Sequence, residues 1–195
     1  AGVCQTWERE TAPAAAAGIR VVLTRFGIVL GADGGALARQ LPFFRAGLGG
    51  RLGSGRQWMS CVAATDVAGA IGHVLTVDEI RGPVNVVGPA PVRNSDYTAL
   101  LGRMLHRPAL FPVPRVALHL MFGELADAAL LASQRVRPGV LTDTGYRFRQ
   151  PAVEDALRSA LGIAAVELFE LILLPLQRVS RLLTLRVDLT ALRRR

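Results

Sequence analysis

The chain has 195 residues, 51% of them hydrophobic, and a net charge of +8 to which 23 basic residues contribute, every one an arginine. That apolar fraction excludes wholesale disorder, and the length suffices for one good core or for part of a larger unit. The arginines are spread along the chain, with a run only at Arg193, Arg194 and Arg195, and are not interleaved with aromatic residues as a stacking groove requires, so no specific nucleic-acid partner is expected.

The opening residues, AGVCQTWERE, lack the basic segment and apolar core of a signal peptide and read as the middle of a helix. Cys4 and Cys61 are the only cysteines; without a CxxC pair they support neither a zinc site nor a disulfide framework, and two reduced thiols suit a cytoplasmic protein. Residues 14–18 read as a helix end with Gly18 as its left-handed cap. Residues 19–22 are a short β-branched run expected to be a strand buried on both faces. Helix, tight turn and buried strand together suggest one unit of a parallel α/β sheet.

Leu37, Leu41, Phe43 and Phe44 mark a short amphipathic helix expected to break near Pro42. Arg56, Gln57 and Trp58 put a guanidinium, an amide and an indole side by side. Such a trio either grips a polar substrate or a phosphate, or forms a surface turn with the indole tucked inward. Asp66 is expected to cap a helix over residues 67–77 that buries Val67, Ala70, Ile71, Val74 and Leu75. Residues 84–87 predict another short buried strand. Asn94 is the expected cap of a helix over 95–105, with His106 at its end, favoured there by the helix dipole. Further helices are expected at 115–121, 124–131 and 151–161. His73, His106 and His119 show no HxH or HExxH spacing, so no metal is expected.

Three blocks, RVVLTRFGIVLGADGGAL, PFFRAGLGGRLGSGRQWMS and GPVNVVGPAPVRNSDYTALL, closely resemble the epimerase-like branch of the extended short-chain dehydrogenase/reductase superfamily. The branch is usually described as nucleoside-diphosphate-sugar epimerase-like, and some members as cell-division inhibitors. The resemblance runs from about Trp7 to Gly162. It implies an α/β fold: the C-terminal part of a Rossmann-like NAD(P)-binding domain over residues 1–90, with 31–60 looping toward the substrate side. A small mixed helical and extended substrate lobe would follow over 91–162.

By that resemblance the cofactor is NAD(P), and the backbone of Phe26, Gly27, Ile28 and Val29 forms one wall of the nicotinamide pocket. Arg56, Gln57 and Trp58 are the substrate-side candidates, the substrate being a small molecule. Trp7 and Glu8 match a Trp-Glu pair of the family, with the indole expected to pack on the sheet. The sequence holds no GxGxxG turn and no YxxxK, so the resemblance is to the C-terminal half, and the cofactor-binding half is expected elsewhere, upstream or on another polypeptide. Catalytic acid and base stay unassigned. Two departures bear on the substrate. Cys61, Val62 and Ala63 replace the branch's usual Trp-Ile-His, and Met59 stands where nucleotide-sugar epimerases carry a phosphate-gripping arginine, a contact Met cannot make.

Beyond Gly162 the family pattern ends. The apolar run over 163–174 contains Glu167 and Glu170 and is too short to span a bilayer core of roughly 30 Å. Arg178, Arg181 and Arg186 beside Leu182, Leu183 and Leu185 suit a basic amphipathic helical tail, which a membrane surface or a partner would attract. Two functions follow from different classes. One is an NAD(P)-dependent epimerase- or dehydratase-like oxidoreductase present as a half that is inactive alone. The other is a non-catalytic binding or regulatory module, related to cell division or associated with a membrane surface.

Overall fold

The computed structural model describes residues 2–123 and 130–163. Residues Ala1–Ala160 form one compact unit, and the expected helix over 124–131, for its first six residues, and most of the basic tail lie outside the described residues. Among the described residues no helix is long and apolar enough to cross a membrane.

The chain opens with two short helices, α1 (Gly2–Arg9) and α2 (Ala12–Ala16). α2 ends as the sequence predicts: Gly18 takes φ +80, and the Ile19 N–H reaches back to the Ala14 carbonyl at 3.1 Å. The strand that follows starts later than expected. It is β1 (Val22–Phe26), and Ile19 lies exposed before it. Nor is β1 buried on both faces: Val22, Leu23 and Thr24 are half-buried, and Arg25 and Phe26 are exposed. Its pairing explains this, because β1 has a neighbour on one edge only among the described strands. That neighbour is β5 (Gly82–Val86), parallel, from Val22 opposite Gly82 to Phe26 opposite Val86.

At Gly27 the chain changes partner. The Gly27 N–H still bonds the Val86 carbonyl (3.1 Å), whereas the next N–H, of Ile28, bonds Ser60 (2.9 Å). From there β2 (Ile28–Leu30) runs parallel to β4 (Cys61–Ala63). A side chain at Gly27 would strike the Ser60 carbonyl and the Val87 Cγ1, so only glycine lets the two pairings meet. A third, antiparallel pair joins β3 (Trp58–Met59) to β6 (Val92–Arg93).

Helix α3 (Gly35–Arg45) packs on β2 and passes straight through Pro42 instead of breaking there. The missing N–H costs about 3 kcal/mol. Burying Leu37, Leu41 and Phe44 contributes about 1.5–3 kcal/mol each, which outweighs it. Helix α4 (Ala64–Thr76) starts two residues before Asp66, so Asp66 lies inside the first turn and is not its cap. The inward face is accordingly Asp66, Ala70 and Val74. Ile71 and Leu75, expected inside, are exposed, Leu75 by 66%. The guanidinium of Arg20 closes the other end of α4 on the carbonyls of Val74 (2.8 Å) and Leu75 (3.0 Å).

Helix α5 (Asn94–Met104) buries Tyr97 and Leu101, and it begins at Asn94, the residue expected to cap it. Asn94 turns inward: its Oδ1 accepts the Leu52 N–H at 2.8 Å and its Nδ2 reaches Met59 Sδ at 3.4 Å. His106, with φ +51, occupies the left-handed position after α5, while Arg107 N–H bonds Gly102. Helices α6 (Arg115–Phe122), α7 (Gly139–Asp143) and α8 (Val153–Leu161) follow. The main core mixes early and late residues, Ala70, Val74, Ile80, Val84 and Val86 with Leu141, and Tyr146 and Phe148 pack against it. Residues on both sides of position 90 therefore share one interior.

Candidate functional site: a basic cleft beside the parallel strands

A cleft of about 770 Å³ opens between the turn at residues 53–57 and the segment that follows residue 130; it is lined by Gly53, Ser54, Arg56, Gln57, Arg115, Leu131 and Ser133. Three local ties hold its walls. Leu52 bridges Val113: the Gly53 N–H donates to the Val113 carbonyl (2.9 Å) and the Val113 N–H to the Arg51 carbonyl (2.9 Å), which brings the start of α6 and Arg115 to the rim. The buried Gln57 donates its amide to the carbonyls of Leu52 (3.0 Å) and Leu130 (3.4 Å), so it spans the cleft floor as a strut. Ser60 donates to Gln134 (2.8 Å) and accepts from Val136 (2.9 Å), fastening the far wall to the sheet.

The polar groups lining the cleft include the guanidinium of Arg56, two hydroxyls and the Gln57 amide. Ser54 Oγ accepts the Arg56 N–H (3.3 Å) and Ser133 Oγ accepts the Trp58 N–H (3.1 Å), leaving both hydroxyl protons to point elsewhere. The guanidinium of Arg56 has no partner, and no carboxylate lines the cleft among the described residues. Beside it the Trp58 ring carries two more cations, Arg93 at 3.9 Å and Arg135 at 4.6 Å from its centroid. Arg93 also donates to the Arg56 carbonyl.

Of the residues singled out in the sequence, Arg56 and Gln57 thus line one cleft, with Trp58 adjacent. The indole is half-buried under guanidinium groups instead of offering a bare ring. Arg115, Ser133, Arg93 and Arg135 went unseen in the sequence, since they arrive from segments far along the chain and nothing local marks them. Phe26, Gly27, Ile28 and Val29 lie elsewhere, at the C-terminal end of β1 and along β2. The N–H groups of Gly27 and Ile28 are already bonded within the sheet, which leaves the Phe26 side chain, 49% exposed, as the open part of that stretch.

Glu8 binds Arg25 with two 2.7 Å contacts, a fork that lowers the Glu8 pKa and raises that of Arg25. Trp7, expected to pack on the sheet, is instead 70% exposed, because α1 buries none of its residues. The thiol of Cys61 is buried and pushed up to about 12, so it is no nucleophile at neutral pH. Asp66 is completely buried and accepts N–H groups of Arg149 (2.7 Å) and Gln150 (2.9 Å), with the Tyr146 hydroxyl 3.2 Å from Oδ1. That network ties α4 to residues 146–150 and leaves Asp66 no free oxygen face for chemistry. His73 rests on Thr144 (2.9 Å), and no three His, Cys, Asp or Glu side chains converge among the described residues.

Comparison with known proteins agrees with this architecture. Residues 113–160 match the family model described as a domain of unknown function, DUF1731. An epimerase family protein of Mycobacterium tuberculosis is 44% identical over 157 residues, covering 80% of this chain and 52% of that one. The chloroplastic SDR39U1 homologue of Arabidopsis thaliana, also an epimerase family protein, is 42% identical over 161 residues, 83% of this chain and 46% of its own length. The crystal structure of the human epimerase family protein SDR39U1 (isoform 2) with NADPH superposes with a TM-score of 0.70 at 35% identity, over 73% of this chain and 48% of that chain. The chain thus spans about half the length of the curated relatives it matches. Parallel strands, order of elements and sequence likeness together place it in the SDR39U1-like epimerase family, an atypical branch of the short-chain dehydrogenase/reductases.

Proposed function

We propose that the chain is the substrate-facing half of an NADPH-dependent epimerase-family oxidoreductase acting on a small molecule, and that by itself it neither holds the cofactor nor turns over substrate. The observation that carries this reading is the one-sided sheet. A parallel strand is ordinarily buried on both faces and paired on both edges. Here β1 is paired only with β5 among the described strands, and its last residues, Arg25 and Phe26, face solvent at the C-terminal end where such sheets bind ligands. Two further features support it: the sequence holds no GxGxxG turn to receive a pyrophosphate, and the human relative was solved with NADPH.

In a complete site this chain's residues would hold one side of the nicotinamide end through the Phe26 side chain and the strand switch at Gly27. The cofactor, when bound, supplies hydride chemistry. The residues of this chain orient the substrate against it from the Arg56 cleft. The test is a titration with NADPH and NADH followed by fluorescence and thermal shift, on the chain alone and on the chain mixed with the remaining half of the mycobacterial relative. Saturation only in the mixture is the expected result. Saturable binding by the chain alone overturns the proposal.

A further inference from the structure

We infer that the face formed by the end of α3 and the segment leading into α6 docks on an anionic lipid bilayer, with Leu110, Phe111, Val116 and Leu120 entering the headgroup layer. The three most exposed large apolar side chains among the described residues are Leu120, Val116 and Leu110, at 88%, 80% and 77%. They fall in one short stretch of chain, and Phe111 within it is exposed as well. Helix α6 buries Leu118, which puts Val116 and Leu120, neighbours at i and i+4, on its opposite, solvent side. Phe43 and Leu48 add two exposed side chains beside this stretch. Backbone contacts hold the pieces together: the Leu48 N–H bonds the Phe43 carbonyl (2.9 Å), Arg107 Nε donates to the Arg45 carbonyl (3.1 Å), and the Phe111 carbonyl lies so close to Gly50 that a Cβ there would overlap it.

Charge selects the occupant. None of the chain's 15 acidic residues falls within 34–65 or 97–123, the two segments that build this face. Arg45 and Arg107 stand exposed among the apolar groups, and neither has a carboxylate partner among the described residues. Protruding apolar side chains flanked by cations, with no negative charge between them, match an anionic headgroup layer over an apolar interior. A second copy of this chain would set the same arginines against each other across a two-fold interface, which opposes pairing. A folded acidic partner needs a concave seat for its own apolar anchors. These side chains stand out from the surface instead, and none of them lines the cleft at residues 53–57. A fluid interface shapes itself around such projections.

The inference is independent of the proposed function and is measured without cofactor. The full chain is co-sedimented with vesicles of phosphatidylcholine alone and of an equimolar phosphatidylcholine–phosphatidylglycerol mixture. Binding at least tenfold tighter to the anionic vesicles is expected, and it should fall as salt rises. Leu110→Ser combined with Leu120→Ser should weaken it at least tenfold. Arg45→Gln should weaken it about fivefold, which is about 1 kcal/mol, the worth of one basic residue at such a surface. All three side chains are exposed, so both variants should keep the wild-type melting midpoint. Arg81→Gln removes the same charge at an exposed position outside this face and should leave binding unchanged. Equal losses from the two arginine variants would show net charge alone at work and overturn the face. Equal binding by the leucine variant, as the basic tail by itself would give, overturns it too. So does a wild-type chain that ignores both vesicles and instead forms, in sedimentation velocity, a dimer that the leucine variant abolishes.

Discussion

Asp66 shows how a single residue is decided by what surrounds it. As a helix cap it would contribute about 1 kcal/mol. Turned inward it accepts two backbone N–H groups and lies beside the Tyr146 hydroxyl, and hydrogen bonds to a charged group are worth about 1.5–3 kcal/mol each. The inward arrangement therefore wins. Asp66→Asn sets an amide NH₂ against one of those donors. We expect it to cost about 3 kcal/mol, which lowers the melting midpoint by about 6–12 °C for a chain of this size. A drop under 2 °C by calorimetry would rule out this account. Tyr146 gives a pH signature. Burial, and then the Asp66 charge, raise its pKa from 10.0 to about 12. The folded state thus favours the neutral phenol, and the stability this confers is complete below pH 10 and is lost as the pH rises toward 12. Cys61, raised from 9.0 to about 12 by burial, acts with the same sign. Denaturant melts of wild type and Tyr146→Phe between pH 8 and 12 should show a shallower alkaline decline in the variant; parallel curves would refute it.

At the scale of elements, the switch from β5 to β4 at Gly27 is the joint of the fold. A Cβ there would lie 2.7 Å from Val87 Cγ1 and closer still to the Ser60 carbonyl, which belongs to backbone and cannot rotate away. Gly27→Ala should cost about 3 kcal/mol by overpacking. Gly31→Ala, with nothing within 4 Å of the added carbon, serves as its control and should be near neutral. Urea melts of the two variants decide it, and equal midpoints would count against the joint. The other elements illustrate how local rules yield to packing. Pro42 is carried inside α3 because Leu41 and Phe44 flank it in the core, and α4 rotates Ile71 and Leu75 outward because Asp66 takes the inward line.

For the whole molecule the telling feature is apolar surface. Val3, Trp7, Ile19 and Phe26 are exposed on α1, ahead of β1 and at its end, near a strand paired on one edge among the described strands. Exposed apolar groups near an unpaired strand edge attract other apolar surfaces. The native chain should therefore enhance the fluorescence of an apolar dye such as ANS while still unfolding cooperatively, and on the proposed function the remaining half of the mycobacterial relative should reverse the enhancement. A native chain that binds no dye would show this surface to be closed.

What the sequence determined by itself is the set of local and semi-local features. The short apolar run at β5, the glycine end of α2 and the buried face of α3, except for Phe43, which is exposed, follow from spacing, and the three family blocks carry the fold with them. Asp66, Asn94, Trp7 and the cleft followed other rules. The first two carry side chains fit for a helix end, yet partners brought from residues 149–150 and 52 claim them more strongly. Trp7 stays outside because packing needs a second surface, which its own helix does not have. The cleft joins a turn near residue 55 to Arg115 and Ser133 through hydrogen bonds between distant segments. Spacing along a chain reports the period of one element; which elements meet is decided by the burial and hydrogen bonding of all of them together.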